Sequence, residues 1–267
     1  MTALGNLTTT GGGLTQLNGS VTTAGFQNLA DNIQLLNNAT LTATSGNVSF
    51  GGTLDGTKVL NIVAGGAGQV VFTGQVGNAT PLASLNIASA TAVDALSTLE
   101  IDGSSVALDG LRIGAGVNNV NIAQAGSSIT AANAAGIQFS GGSTNSTISG
   151  FKIENTVGKG LSIASGDYSG TTISGLEIVA GKYGVYVSNA ENITLGGTAS
   201  EAALNVNGAT YGIFATGQLG GSSVRGSSFS NGTYGGLLST AQGLTLAGNN
   251  TFGDFAIQQL IVFGDSS

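Results

Sequence analysis

The chain has no cysteine and no histidine. Thiolate and imidazole metal sites, cysteine nucleophiles and any triad built on histidine are therefore excluded. Charge is scarce too: Lys, Arg, Asp and Glu make up 7% of the 267 residues, against roughly 25% in ordinary soluble domains. Six Lys plus Arg against thirteen Asp plus Glu give a net charge of −7. That leaves no basic patch to neutralise phosphates, so nucleic acid is not an expected partner. There is no run of eighteen apolar residues to span a bilayer. The opening stretch from Met1 to Gly13 lacks the basic and apolar regions of a secretory signal.

What is present is 46 Gly and a hydrophobic fraction of 41%, too apolar for a disordered tail. The commonest local pattern is a three-residue burst in which two apolar residues flank one polar. Examples are Leu60-Asn61-Ile62, Leu85-Asn86-Ile87, Leu99-Glu100-Ile101, Leu111-Arg112-Ile113 and Leu204-Asn205-Val206. Each reads as a short strand of period 2, and Gly, Asn, Ser, Thr and Asp between them read as turns. One segment competes: Phe26, Leu29, Ala30, Ile33 and Leu36 have helical spacing. The repeat logic favours strand there, with Ile33 and Leu35 inward.

Internal repetition sets the fold. Gly46-Asn-Val-Ser-Phe recurs 22 residues on as Gly68-Gln-Val-Val-Phe, which places Val48 over Val70 and Phe50 over Phe72. Gly136, Gly160, Gly184, Gly212 and Gly235 each precede an apolar segment, at spacings of 24, 24, 28 and 23. A period of 20 to 50 residues signals a stacked array. The expected fold is all-β: a right-handed parallel β-helix of about ten coils of 22–28 residues, a rod about 50 Å long. Phe151, Leu176 and Leu204 should stack inside it, and Lys152 and Glu177 should form a surface pair contributing about 0 to 1 kcal/mol.

The run Val21-Thr-Thr-Ala-Gly-Phe-Gln, with Leu41-Thr-Ala-Thr-Ser-Gly-Asn-Val-Ser-Phe-Gly-Gly-Thr-Leu-Asp-Gly and Thr80-Pro-Leu-Ala-Ser-Leu-Asn-Ile, resembles the repeats of filamentous-haemagglutinin-like bacterial surface adhesins. Leu4-Gly-Asn-Leu7 is similar to Leu82-Ala-Ser-Leu85, as if the chain opened inside a larger repeat. The second half, with Ala107-Leu-Asp-Gly-Leu-Arg-Ile, Thr147-Ile-Ser-Gly-Phe-Lys-Ile and Thr172-Ile-Ser-Gly-Leu-Glu-Ile, is similar to pectate-lyase-type β-helices. The division implied is adhesin-type coils over 1–100 and pectate-lyase-like coils over 101–267, in one continuous solenoid. The resemblance implies a secreted or surface-attached protein with an adhesive, matrix or stalk role, consistent with low Lys and Arg beside high Thr, Ser, Asn and Gly. The second repeat type occurs in catalytic and non-catalytic proteins alike, so it does not assign activity.

Tests for chemistry come out thin. Asp102 and Asp109 lie seven residues apart, and aligning Asp109 with Ser149 and Ser174 builds no column of carboxylates. Glycine runs such as Gly11-Gly12-Gly13 lack the lysine and helix of a phosphate cradle. The threonines at the front do not recur at one coil position, which weighs against an ice-binding ladder. Sequons such as Asn38-Ala39-Thr40 and Asn192-Ile193-Thr194 read as accidents of composition. No metal or other cofactor is expected.

Aligning coils on the repeated glycine gives an outward column Gln138, Ser162, Tyr186, Phe214, Leu237 that begins polar and ends apolar. Tyr186, Phe214 and Leu237 are the candidate contact residues. Three covers come into question: the chain's own long turn from Gly196 to Ala203, a partner or second copy, or a glycan ring on Tyr186. Tyr183, Tyr211 and Tyr234 share the position before the glycine and read as a structural stack. The apolar stretch Phe255 to Phe263 reads as a cap or an edge, with the cap favoured. The expected role is a non-enzymatic extracellular or cell-surface module of a large adhesin, contacting a glycan or protein of a cell surface or matrix, or a second copy of itself. The alternative is a polysaccharide-binding or polysaccharide-degrading β-helix domain.

Overall fold

The computed structural model describes residues 4–103, 110–131, 135–155, 157–197 and 203–263. All regular elements among them are strands, and all strand pairs are parallel. The chain winds through three faces in fixed order. Face B starts at Leu7–Thr9 and ends at Thr245–Ala247. Face C starts at Leu14–Leu17, passes through single bridges at Val76 and Leu99, and ends at Thr251–Gly253. Face A is a sheet of eleven strands from Val21–Thr23 to Gln258–Phe263. The fold is a parallel β-helix.

Face A crosses residue 100 without a break, Ile87 pairing with Ile113, so one solenoid holds both halves of the sequence. The register Val21↔Leu41↔Ile62 advances by 20 and then 21 residues. Later pairs such as Ile62↔Ile87 and Val187↔Ala215 advance by 25 and 28, so the first turns are shorter than the expected range. Each turn stacks on the next at about 4.8 Å and thereby satisfies the backbone donors and acceptors that a parallel sheet presents. Faces B and C join where the long strands Val120–Ala131 and Thr147–Asn155 bend from one to the other, with a register shift between Ala123 and Ser127.

Alternation sends every second side chain into a single apolar core that runs from Leu17 to Ala241. Each Leu, Ile or Val buried there is stabilised by about 1.5–3 kcal/mol relative to exposure. Val48 pairs with Val70, and Phe50 stacks on Phe72 with ring centroids 5.0 Å apart and planes 11° from parallel. Phe151, Leu176 and Leu204 are all buried, the last two in register. The segment with helical spacing forms strands Gln27–Leu29 and Asn32–Leu35, with Ile33 and Leu35 inward. Pairing with the turns above and below outweighs local periodicity.

Corners explain the glycines and asparagines. At the entrance to face A, a Cβ on Gly160 would lie 2.1 Å from Ile178 Cγ2 and 2.8 Å from the Gly184 carbonyl. One on Gly184 would lie 2.1 Å from Val206 Cγ1 and 2.6 Å from the Gly212 carbonyl. The repeated glycine is the place where the inward residue of face C packs directly on backbone: Ile or Val at Gly136, Gly160 and Gly184, Phe at Gly212 and Gly235. Asparagine serves the other corners: the side-chain carbonyls of Asn6, Asn32, Asn47 and Asn189 accept the backbone N–H of Phe26, Thr53, Gln69 and Gln218, one turn on, at 3.0–3.1 Å. Asn38 and Asn192 of the sequons are likewise tied to neighbouring turns, through Val59 N and Asp167.

Three expectations are corrected. Leu111–Ile113 lies on face A and pairs with Ile137–Phe139, whereas Ser149 and Ser174 pair with each other at the end of face B. The two Gly-Leu-Arg-Ile and Gly-Phe-Lys-Ile motifs therefore occupy different corners; Asp109 lies outside the described residues. Lys152 and Glu177 are in register and attract each other, but the close ion pair of the Lys152 ammonium, at 2.8 Å, is with Glu154 on its own strand. Two residues apart on one strand put both side chains on the same outer face. Finally, the stretch expected to cap the rod does not fold across it. Gln258–Phe263 is the eleventh strand of face A, pairing residue by residue with Tyr234–Ser239.

Candidate functional site

The outer surface of face A carries one continuous column. The register runs Thr40↔Asn61↔Asn86↔Arg112↔Gln138↔Ser162↔Tyr186↔Phe214↔Leu237↔Ile261. Its first part is a polar ladder: Asn86 donates to Asn61 at 3.1 Å, and Asn61 to Thr40 at 3.4 Å. From the eighth turn it is apolar. Tyr186, Phe214, Leu237 and Ile261 are all half-buried outward residues, so the structure brings the three candidate residues into one strip and adds Ile261 to it.

A second column runs beside the first. Lys159↔Tyr183↔Tyr211↔Tyr234 are in register, with ring centroids 5.4 and 5.1 Å apart along the tyrosines and planes within 20°. The two columns interlock edge to face, Tyr183 meeting Tyr186 at 5.4 Å and Phe214 at 5.3 Å. Five rings thus form one block. The corner glycines make it possible, because Gly184 and Gly212 bring the tyrosine before each glycine and the aromatic residue after it to the same outer surface.

Ring orientation decides what the block can bind. Phe214 lies on Tyr186 from the following turn at 5.2 Å with planes 1° apart, and the Lys159 ammonium sits 3.9 Å from the Tyr186 centroid from the preceding turn. Lys182 lies 5.2 Å from the Tyr183 centroid. The negative ring faces are thus used inside the block, by stacking and by cations. A sugar ring has no free face of Tyr186 to stack on, and the surface offers ring edges and aliphatic groups instead. The long turn expected to cover the strip leaves the coil between faces B and C, after the face B strand Ala190–Gly196 and before the face C strand Leu204–Asn207. That corner is opposite face A; residues 198–202 of the turn lie outside the described residues.

Carboxylates are dispersed, and several are held by hydrogen bonds. Asp167 accepts from the Ser169 hydroxyl at 2.6 Å, from Asn192 at 2.9 Å and from the Ser169 N–H at 3.0 Å, and these bonds hold it below the usual carboxylate range. Asp31 is lowered in the same way by the Thr15 hydroxyl and the Gly13 N–H. Asp102 and Asp109 fall where side chains lie outside the described residues. Among the described residues, no three Asp or Glu come together in a metal-binding group. A shallow hollow of about 540 Å³ beside Phe26 is lined by Asn6, Asn28, Asn47 and serines, with no titratable group.

Sequence reasoning missed one ladder. Thr147↔Thr172↔Thr194↔Ser223↔Thr245 are in register on face B, so hydroxyls do recur at one coil position in the second half. At the front only Thr22↔Thr42 does. Ile261 and the Asn61–Asn86 ladder were within reach of the same burst alignment carried further in both directions. No helix among the described residues is long and apolar enough to cross a membrane. No family model, curated protein or solved structure matches this chain.

Proposed function

We propose that the chain is a non-enzymatic extracellular or cell-surface module, a segment of an adhesin or surface matrix that supplies reach, stiffness and a repetitive face for weak multivalent contact. The observation that carries this reading is the outward strip Tyr186, Phe214, Leu237 and Ile261 beside the tyrosine column, apolar residues in register where a sheet facing water would carry polar ones. Eleven face A strands at about 4.8 Å give a rod of about 48 Å, stiff because each turn is bonded to the next. The lack of a free ring face on Tyr186 supports a protein contact over a stacked glycan.

The test is retention of the labelled chain on cells and matrix, beside a panel of acidic polysaccharides assayed for turnover. Wild type should be retained without turnover. The triple variant Tyr186→Ser, Phe214→Ser, Leu237→Ser should keep its β-sheet circular dichroism and lose retention. Turnover of any polysaccharide, or undiminished retention of the folded triple variant, would refute the proposal.

A further inference from the structure

The few charges of this chain are sorted by face. Among the described residues, no strand of face A contains a carboxylate. Arg112 and Lys159 lie in face A strands, and Lys58 and Lys182 immediately precede two others, Val59–Ala64 and Tyr183–Ser188. The remaining cations, Lys152 and Arg225, are on faces C and B. Face C carries Asp55, Glu100, Glu154 and Glu177. A molecule of net charge −7 thereby has one cationic side.

The heights of these charges also match. Counting turns by the strands of face A, the cations Lys58, Arg112, Lys159 and Lys182 belong to turns three, five, seven and eight. The face C segments that lead into those same turns carry Asp55, Glu100, Glu154 and Glu177. Turns four and six carry neither, and Asp31, which immediately precedes the face C strand of turn two, has no face A cation at its height. A second rod placed parallel and level, its face C against face A of the first, would bring a carboxylate to the height of every face A cation, adding to the bonds that Glu154 makes with Lys152, Asp55 with the Ala79 and Thr80 N–H groups, and Lys159 and Lys182 with tyrosine rings. An antiparallel or shifted rod would break the sequence three, five, seven, eight. At turn eight the face C residue Val179, 46% exposed, would meet the start of the aromatic block.

We infer that the partner of face A is a second copy of this chain, docked parallel and in register through its face C. The inference rests on the contact-module reading above and names the partner. The area suffices: ten intervals of about 4.8 Å by a strand width of about 17 Å is about 800 Å² per partner, a standard-size interface. Because the two faces differ, the contact is side-to-side and heterologous, and each added copy leaves a free face A and a free face C. Assembly therefore continues past a dimer, as a ring where the rotation per copy closes and as an open bundle of rods where it does not.

Sedimentation of the full chain tests this without any variant. Mass should rise with concentration at about 0.01 M salt, where the screening length is about 30 Å, and return to monomer at about 1 M, where it is about 3 Å. Lys159→Glu with Lys182→Glu should weaken association on the order of tenfold, and mixing it with Glu154→Lys, Glu177→Lys should restore it. With no native cysteine, register can be read directly. A Lys159→Cys chain mixed with a Glu154→Cys chain should form the mixed disulfide on oxidation, and one mixed with Asp55→Cys, four turns away, should not.

A monomer at every concentration in low salt, association indifferent to salt, failure of the swapped pair to recover, or association that needs added polygalacturonate would each overturn the inference. Monomeric chain that is still retained on cells removes the self-partner and keeps the contact module. Bundles that form by the charge rule without any retention do the reverse.

Discussion

Gly184→Ala is the sharpest probe of how the corner builds the aromatic block. The added Cβ would sit 2.1 Å from Val206 Cγ1, 3.3 Å from Val206 Cβ and 2.6 Å from the Gly212 carbonyl oxygen. The first contact belongs to a stiff β-branched side chain at 1% exposure, the last to the backbone of the next turn, so neither neighbour can swing clear. Overpacking of this kind costs about 1–3 kcal/mol, a fall in Tm of about 2–12 °C at about 2–4 °C per kcal/mol. Gly220→Ala is the control: nothing lies within 4 Å of its added Cβ, and the change should stay within about 0.5 kcal/mol. Val206→Ala in the Gly184→Ala background removes the side-chain clash and leaves the carbonyl one, so the double variant should lose less than the sum of the singles. Hydrogen exchange should quicken first in Tyr183–Ser188 and Tyr211–Gln218, the strands on either side of the strained carbonyl. If Gly184→Ala melts with Gly220→Ala, the steric account of the repeated glycine is wrong.

Two further outcomes follow from polar groups. Tyr168 is fully buried, its hydroxyl 2.8 Å from the Gly141 and Ala164 carbonyls, so Tyr168→Phe strands buried acceptors and should cost about 1–3 kcal/mol by urea denaturation. Asp167 has a folded-state pKa below its ordinary 3.8. Its contribution is therefore complete above that value and is lost as pH falls from it through the folded pKa. Asp167→Asn should flatten the acid limb of a Tm-against-pH curve below pH 3.8, and an unchanged limb would show that the bonds from Ser169 and Asn192 do not favour the charged form.

The coil was legible because both its signals are periodic. Apolar-polar-apolar bursts mark strands, and glycine at near-constant spacing marks one corner. The stack of Phe50 on Phe72 and the column Tyr186, Phe214, Leu237 followed from lining up that corner. What stayed hidden was the face to which a burst belongs. Leu111-Arg112-Ile113 and Phe151-Lys152-Ile153 carry the same pattern on faces A and C, because every face buries alternate residues into one core. Only the corner separates them: Gly136, on which Ile153 Cγ2 packs, opens face A, whereas Gly150, at φ +81°, bends the chain between B and C. Ring orientation was hidden as well, since it depends on how side chains of successive turns settle against each other. That is why a glycan on Tyr186 looked open from sequence and is blocked in three dimensions.

Face identity in a solenoid is conserved along the axis, so a single choice of charge per turn accumulates instead of averaging out. The cations at turns three, five and seven are two turns, or about 10 Å, apart, which is close to the screening length of about 10 Å at 0.1 M salt. Neighbouring charges therefore still overlap, and face A presents one continuous positive stripe ending at the aromatic block. Scattered over a globule, the same four residues would be cancelled by the acidic excess around them. Here the carboxylates of the described strands sit on the other two faces, with the low-dielectric core between. Sparse charge is then no obstacle to a strong directional field, and the ionic strength of the surroundings becomes the variable that decides whether the rods stand alone or side by side.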